Sequence, residues 1–151
     1  TQTAMTHGDP LTIDAAELFA RAALRILGGE SPLSALSTVA GERFTGTPLA
    51  RWVKEGMALK GEEGVTGVGC LGQSCHTPEA FPSVIQLVAR YEDDLKEALV
   101  QNVMAGGDSA ARGMAVGMLL GAHLGESAIP ELWLAELERT EEIRNLLEKV
   151  P

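Results

Sequence analysis

The sequence predicts an all-α fold, and three observations carry that prediction. Apolar residues recur at spacings of three and four, which places them on one face of a helix. Several stretches open with a capping residue followed by proline, the combination that starts a helix with its φ already set. No stretch shows the strict alternation of apolar and polar residues expected of a half-buried strand.

Asp9-Pro10 reads as the cap and first residue of an opening helix. Leu11, Ala15, Leu18, Ala22 and Ile26 follow on one face, and Gly28-Gly29 ends it. A short second helix is expected over Leu33 to Val39. Thr47-Pro48 repeats the cap-and-proline start, with Leu49, Trp52, Val53 and Met57 on one face. Lys60 to Cys75 is rich in glycine and lacks a helical period, so it reads as a loop. Pro78 or Pro82 opens a helix running through Ala89, and Glu92 to Met104 forms another, with Asp93-Asp94 as acids favoured by the helix dipole at its start. Asp108 opens a helix of small residues after the double glycine Gly106-Gly107. Pro130 starts a short helix carrying Trp133, and Thr140 caps a last helix ending near Val150.

Composition bounds the function. At 151 residues the chain suits a single domain spanning 1–151, and 45% hydrophobic residues are enough for a substantial core. Aromatics are only 4% while glycines number 17, which points to closely spaced helices packed with Leu, Ala, Val and Met. The net charge of −9 argues against nucleic-acid or anionic-membrane partners, because no basic stripe is available to meet phosphates. The longest apolar run, Met114 to Leu124, is far short of the ~20 residues that cross a bilayer. With no amino-terminal signal peptide and only two cysteines, Cys70 and Cys75, the expected setting is reducing and cytoplasmic. The chain starts at Thr1 rather than Met, which is the expectation for a processed or trimmed piece.

Gly113, Gly117 and Gly121 lie four apart and share a helix face, where a neighbouring helix is expected to pack closely. Cys75-His76 invites a nucleophile reading, since an imidazole lowers a thiol pKa, but no third orienting group is identifiable. The two cysteines read instead as loop residues packed against helices.

The run Ala105-Gly106-Gly107-Asp108-Ser109-Ala110-Ala111-Arg112-Gly113 holds the most chemical information. Asp108 stands where an N-cap belongs, so its carboxylate either caps the helix or meets a ligand. Arg112, one turn further, either pairs with Asp108 or reaches a phosphate. His7, before the first cap, is either a partly exposed structural histidine or a ligand contact.

Together with Thr6-His7-Gly8-Asp9-Pro10, Gly121-Ala122-x-x-Gly125 and Ile129-Pro130-x-x-Trp133-x-x-x-Leu137, this run resembles the C-terminal half of the ADP-ribosylglycohydrolase family. Ala80-Phe81-Pro82 followed by Ala105-Gly106-Gly107-Asp108 with Arg112 looks closest to the crystallin J1-like branch. The resemblance implies an all-α bundle and hydrolysis of the glycosidic bond that joins ADP-ribose to a protein side chain. The partners it implies are ADP-ribose or an ADP-ribosylated protein. A hydrolase reading further expects an amino-terminal half absent here, whereas a purely structural role expects a compact, self-sufficient domain or homo-oligomer.

The resemblance further implies a pair of Mg²⁺ ions held between a Gly-Gly-Asp-x-Asp-Thr motif and an earlier Thr-Asp-Asp motif. Carboxylates supply the oxygen ligands that Mg²⁺ requires. Asp108 matches the first metal ligand, and His7, Asp108 and Arg112 are the implied ligand contacts. Ala110 and Ala111 replace the second aspartate and the threonine, and no Thr-Asp-Asp is present. A methyl group cannot coordinate Mg²⁺. The resemblance is therefore also compatible with a non-catalytic, crystallin J1-like binding or structural protein.

Overall fold

In a computed structural model, described over residues 2–149, nine α-helices and no strand are present among the described residues. The all-α expectation is met. The first, α1 (Pro10–Leu27), buries Ala15, Leu18, Ala22 and Ile26 as the spacing predicts. Asp9 caps it by accepting from the Thr12 amide at 2.8 Å. The second helix, α2 (Pro32–Arg43), is longer than expected at both ends, with Ser31 as its cap. In α3 (Pro48–Ala58), Leu49, Trp52 and Val53 are buried. Thr47 occupies its cap position without capping; its hydroxyl donates to the Phe44 carbonyl at 2.7 Å.

The expected Lys60–Cys75 loop is a correction, because it contains a helix, α4 (Gly64–Leu71). Its glycines are packing positions. A Cβ on Gly67 would lie 2.4 Å from the Gln86 side chain, and one on Gly64 would lie 2.7 Å from that of Gln101. Next comes α5 (Thr77–Arg90), the most buried helix of the set, in which every residue from Phe81 to Ala89 is buried. Pro78 lies in its first turn, and Pro82 is inside rather than at the start. A Cβ on Gly56 would fall 2.5 Å from the Pro82 carbonyl, so α3 passes α5 at backbone range.

Asp94 caps α6 (Leu95–Met104), which begins three residues later than expected. Asp108 caps α7 (Ser109–Leu124), and Gly125, at φ 76°, ends it. Two short helices, α8 (Glu131–Glu136) and α9 (Thr140–Leu147), complete the described chain and bury no residue. Thr140 is the first residue of α9, not its cap, and its hydroxyl donates to the carbonyls of Leu134 and Leu137. The expected helix end near Val150 lies outside the described residues.

The core lies where α5 meets α1, α3 and α7, with Phe19 stacked on Phe81 at 4.7 Å between ring centres. The glycine stripe of α7 is only partly a close-packing face. A Cβ on Gly113 would meet Asn102 at 2.7 Å and one on Gly117 would touch Leu99 at 4.0 Å, but at Gly121 there is open space. No helix among the described residues is long and apolar enough to cross a membrane.

Candidate functional site

Three helix starts gather at one end of the bundle. The Thr12 hydroxyl in the first turn of α1 meets the Thr77 hydroxyl at the start of α5, 2.8 Å away. Four residues before Thr77, the Gln73 carbonyl accepts the amide of Asp108 at the start of α7, at 2.9 Å. The segment Gln73–Thr77 therefore ties the two flanking helix starts together. A shallow open hollow beside it, lined by Asp9, Thr12, Cys75, His76 and Thr77, has a volume of about 410 Å³. The starts of α1 and α5 flank the hollow, and their positive ends favour negative charge there.

The turn that carries Asp108 is built from backbone that favours glycine. Gly106 and Gly107 are both left-handed, at φ 70° and 64°. A Cβ on Gly107 would stand 2.1 Å from the Gln73 carbonyl oxygen. Asp108 is half-buried and its Oδ1 accepts from the Ala111 amide at 3.3 Å, so the cap forms as expected. Ala110 and Ala111 expose their methyl groups beside it.

Arg112 departs from expectation. Its side chain is 1% exposed and turns inward, beneath the double-glycine turn. Nε donates to the Asn102 side-chain oxygen at 2.7 Å, and Nη2 donates to the carbonyls of Asn102 at 2.9 Å and Gly106 at 2.7 Å. The pair with Asp108 expected from spacing is absent among the described residues, and Nη1 has no partner there. Burial lowers the guanidinium pKa, against a smaller opposing pull from the Asp108 carboxylate. Asn102 completes the frame by donating from Nδ2 to the Ser109 carbonyl at 2.8 Å.

His7 is exposed just ahead of α1, its Nδ1 2.9 Å from the Thr6 hydroxyl. His7 thus precedes one of the three helix starts and Asp108 another, while Arg112 is interior; none of these three predicted residues lines the hollow. Sequence reading missed the Gln73–Glu79 segment. There the Ser74 amide donates to Glu79 at 3.0 Å and holds that carboxyl below its ordinary pKa. Ser83 donates to the Gly72 carbonyl at 3.1 Å, bracing the segment from α5. The one sequence signal was Gly72 itself, left-handed at φ 114° and pressed against Glu79. Cys70 and Cys75 are free and exposed, not packed as expected.

A divalent-metal pair does not fit these side chains. Asp108 offers one carboxylate, its neighbours offer methyl groups, and no three His, Cys, Asp or Glu side chains gather into a metal-binding group among the described residues. Mg²⁺ needs several oxygen ligands in near-octahedral array. The described residues alone supply no such set.

No curated protein and no solved structure matches the chain. The ADP-ribosylglycohydrolase family profile matches residues 1–151, from end to end. Motif order, helical architecture and profile agree: the chain belongs to the ADP-ribosylglycohydrolase family.

Proposed function

We propose that the chain recognises ADP-ribose, free or attached to protein, at the end of the bundle where α1, α5 and α7 begin, as a degenerate member of its family. The observation that carries this reading is the braced Gly106–Gly107–Asp108 turn, which keeps a half-buried carboxylate at a helix start beside the Gln73–Thr77 segment. One Asp108 oxygen caps α7, and the other is left to accept from a ribose hydroxyl. His7 and His76, both exposed near helix starts, supply ring nitrogens for further polar contacts. Arg112 serves from within the fold rather than by touching phosphate. The methyl groups of Ala110 and Ala111 argue for metal-independent recognition over two-metal hydrolysis, and with Ala80-Phe81-Pro82 they favour the crystallin J1-like branch.

Calorimetric titration of ADP-ribose, with and without Mg²⁺, tests the reading. Binding that is indifferent to Mg²⁺ and weakened in Asp108→Asn is the expected result. Binding that requires Mg²⁺ would restore the family's hydrolytic reading, with metal ligands beyond Asp108. No binding in either condition would leave a crystallin-like structural role.

A further inference from the structure

We infer that Arg112 and Gln73 are positioning residues that clamp the Gly106–Gly107–Asp108 turn from opposite sides, so that its order needs no bound cation. Only the turn's service to a ligand rests on the functional reading above; the clamp itself does not.

Two consecutive glycines lose more backbone freedom on ordering than any other pair, so this turn needs contacts to hold it. A bound metal ion is one way to organise a carboxylate-bearing turn, and an internal guanidinium is another. Burying a guanidinium is costly unless acceptors surround it. The acceptors here are not carboxylates. Two of the three are main-chain carbonyls, of Asn102 in the last turn of α6 and of Gly106 on the connection that delivers Asp108. The third is the Asn102 side chain, whose own amide reaches past the turn to the Ser109 carbonyl. Residues 102 and 106 are thus tied to one planar, rigid fork, and 109 to it through Asn102, a geometry lysine cannot reproduce.

From the outer side, Gln73 grips the same turn twice. Its carbonyl accepts the Asp108 amide at 2.9 Å and its side-chain amide donates to the Ala105 carbonyl. Gln73 is anchored in turn through the Ser74–Glu79 and Ser83–Gly72 hydrogen bonds. Neither Arg112 nor Gln73 acts on a ligand directly. Each acts through the position of Asp108.

Amide exchange on the full-length isotope-labelled chain, combined with ADP-ribose titration, tests the clamp. In Arg112→Met the melting temperature falls by several degrees, because the Asn102 and Gly106 acceptors lose their donor. Exchange at the Asp108 amide, compared with Leu119 and Leu120 in the core, rises by at least about tenfold, the scale of one lost hydrogen bond to a charged group. Affinity for ADP-ribose falls in parallel with that exchange while Leu119 and Leu120 stay protected, which an arginine serving only global stability would not produce. Arg112→Lys does not restore either property. Gln73→Ala, on an exposed side chain, raises Asp108 exchange by about threefold, as expected for one neutral hydrogen bond.

A chelator leaves Asp108 exchange in the parent chain unaltered. Acceleration by the chelator would overturn the inference, as would Arg112→Met with unchanged Asp108 exchange. If Arg112→Met fails to fold, Gln73→Ala decides by the same readout. A parent chain that ignores ADP-ribose sinks the functional reading alone, since the exchange measurement needs no ligand.

Discussion

Asp108 both caps α7 and presents a carboxylate, and the two roles separate by substitution. Asp108→Ala removes the acceptor for the Ala111 amide and is expected to lower stability by about 1 kcal/mol, read as a fall of roughly 2–4 °C in a thermal melt. Asp108→Asn keeps a capping oxygen and should melt close to the parent while losing the charge. Equal melts for the alanine variant and the parent would mean that the cap contributes nothing. The neighbouring glycines give a second paired test. Gly106→Ala meets no atom within 4 Å and costs only the left-handed conformation, about 1–2 kcal/mol. Gly107→Ala carries the same penalty and also drives a Cβ against the Gln73 carbonyl, adding roughly 1–3 kcal/mol. Denaturant melts that ranked Gly106→Ala as the worse variant would contradict the contact between Gln73 and the turn.

At the scale of elements, the stripe on α7 holds glycines of opposite consequence. Gly121→Ala adds a methyl group in open space on a helix and should stabilise by up to about 1 kcal/mol. Gly113→Ala pushes on Asn102, which Ser109 and Arg112 already fix, and should destabilise by roughly 1–3 kcal/mol. Chemical denaturation of both variants checks the opposite signs. This contrast also marks what the sequence could convey. The faces of α1 and α3 were legible because large apolar residues repeat on them, and the Asp9 and Asp108 caps because their side chains act locally. In α4, the buried residues are Gly64, Gly67 and Val68, a helical spacing disguised by glycine's ordinary role in loops. Their reason for being glycine lies in Gln86 and Gln101, remote in sequence. The inward turn of Arg112 was hidden for the same reason. Spacing placed it near Asp108, but Asn102 of α6 and the Gly106 carbonyl claimed it.

Across the whole molecule, stability is distributed unevenly, and the C-terminal helices mark the weak end. Phe81 to Ala89 of α5 are all buried, whereas α8 and α9 bury nothing. What holds α9 is the Thr140 hydroxyl on two carbonyls and the exposed Arg144–Glu126 pair at 2.8 Å. Exposed pairs contribute about 0–1 kcal/mol, so α9 should open without disturbing the rest. Its amides are expected to exchange at least about a hundredfold faster than those of Ile85 to Val88 in native-state exchange. The same helix leaves Ile143, Leu146 and Leu147 exposed on one side. Association of copies through that face would stabilise α9 by mass action, and its protection would then rise with protein concentration. Protection that is low and independent of concentration is the expected outcome for a free helix. Protection equal to that of α5 at every concentration would refute the view that burial governs where this fold opens.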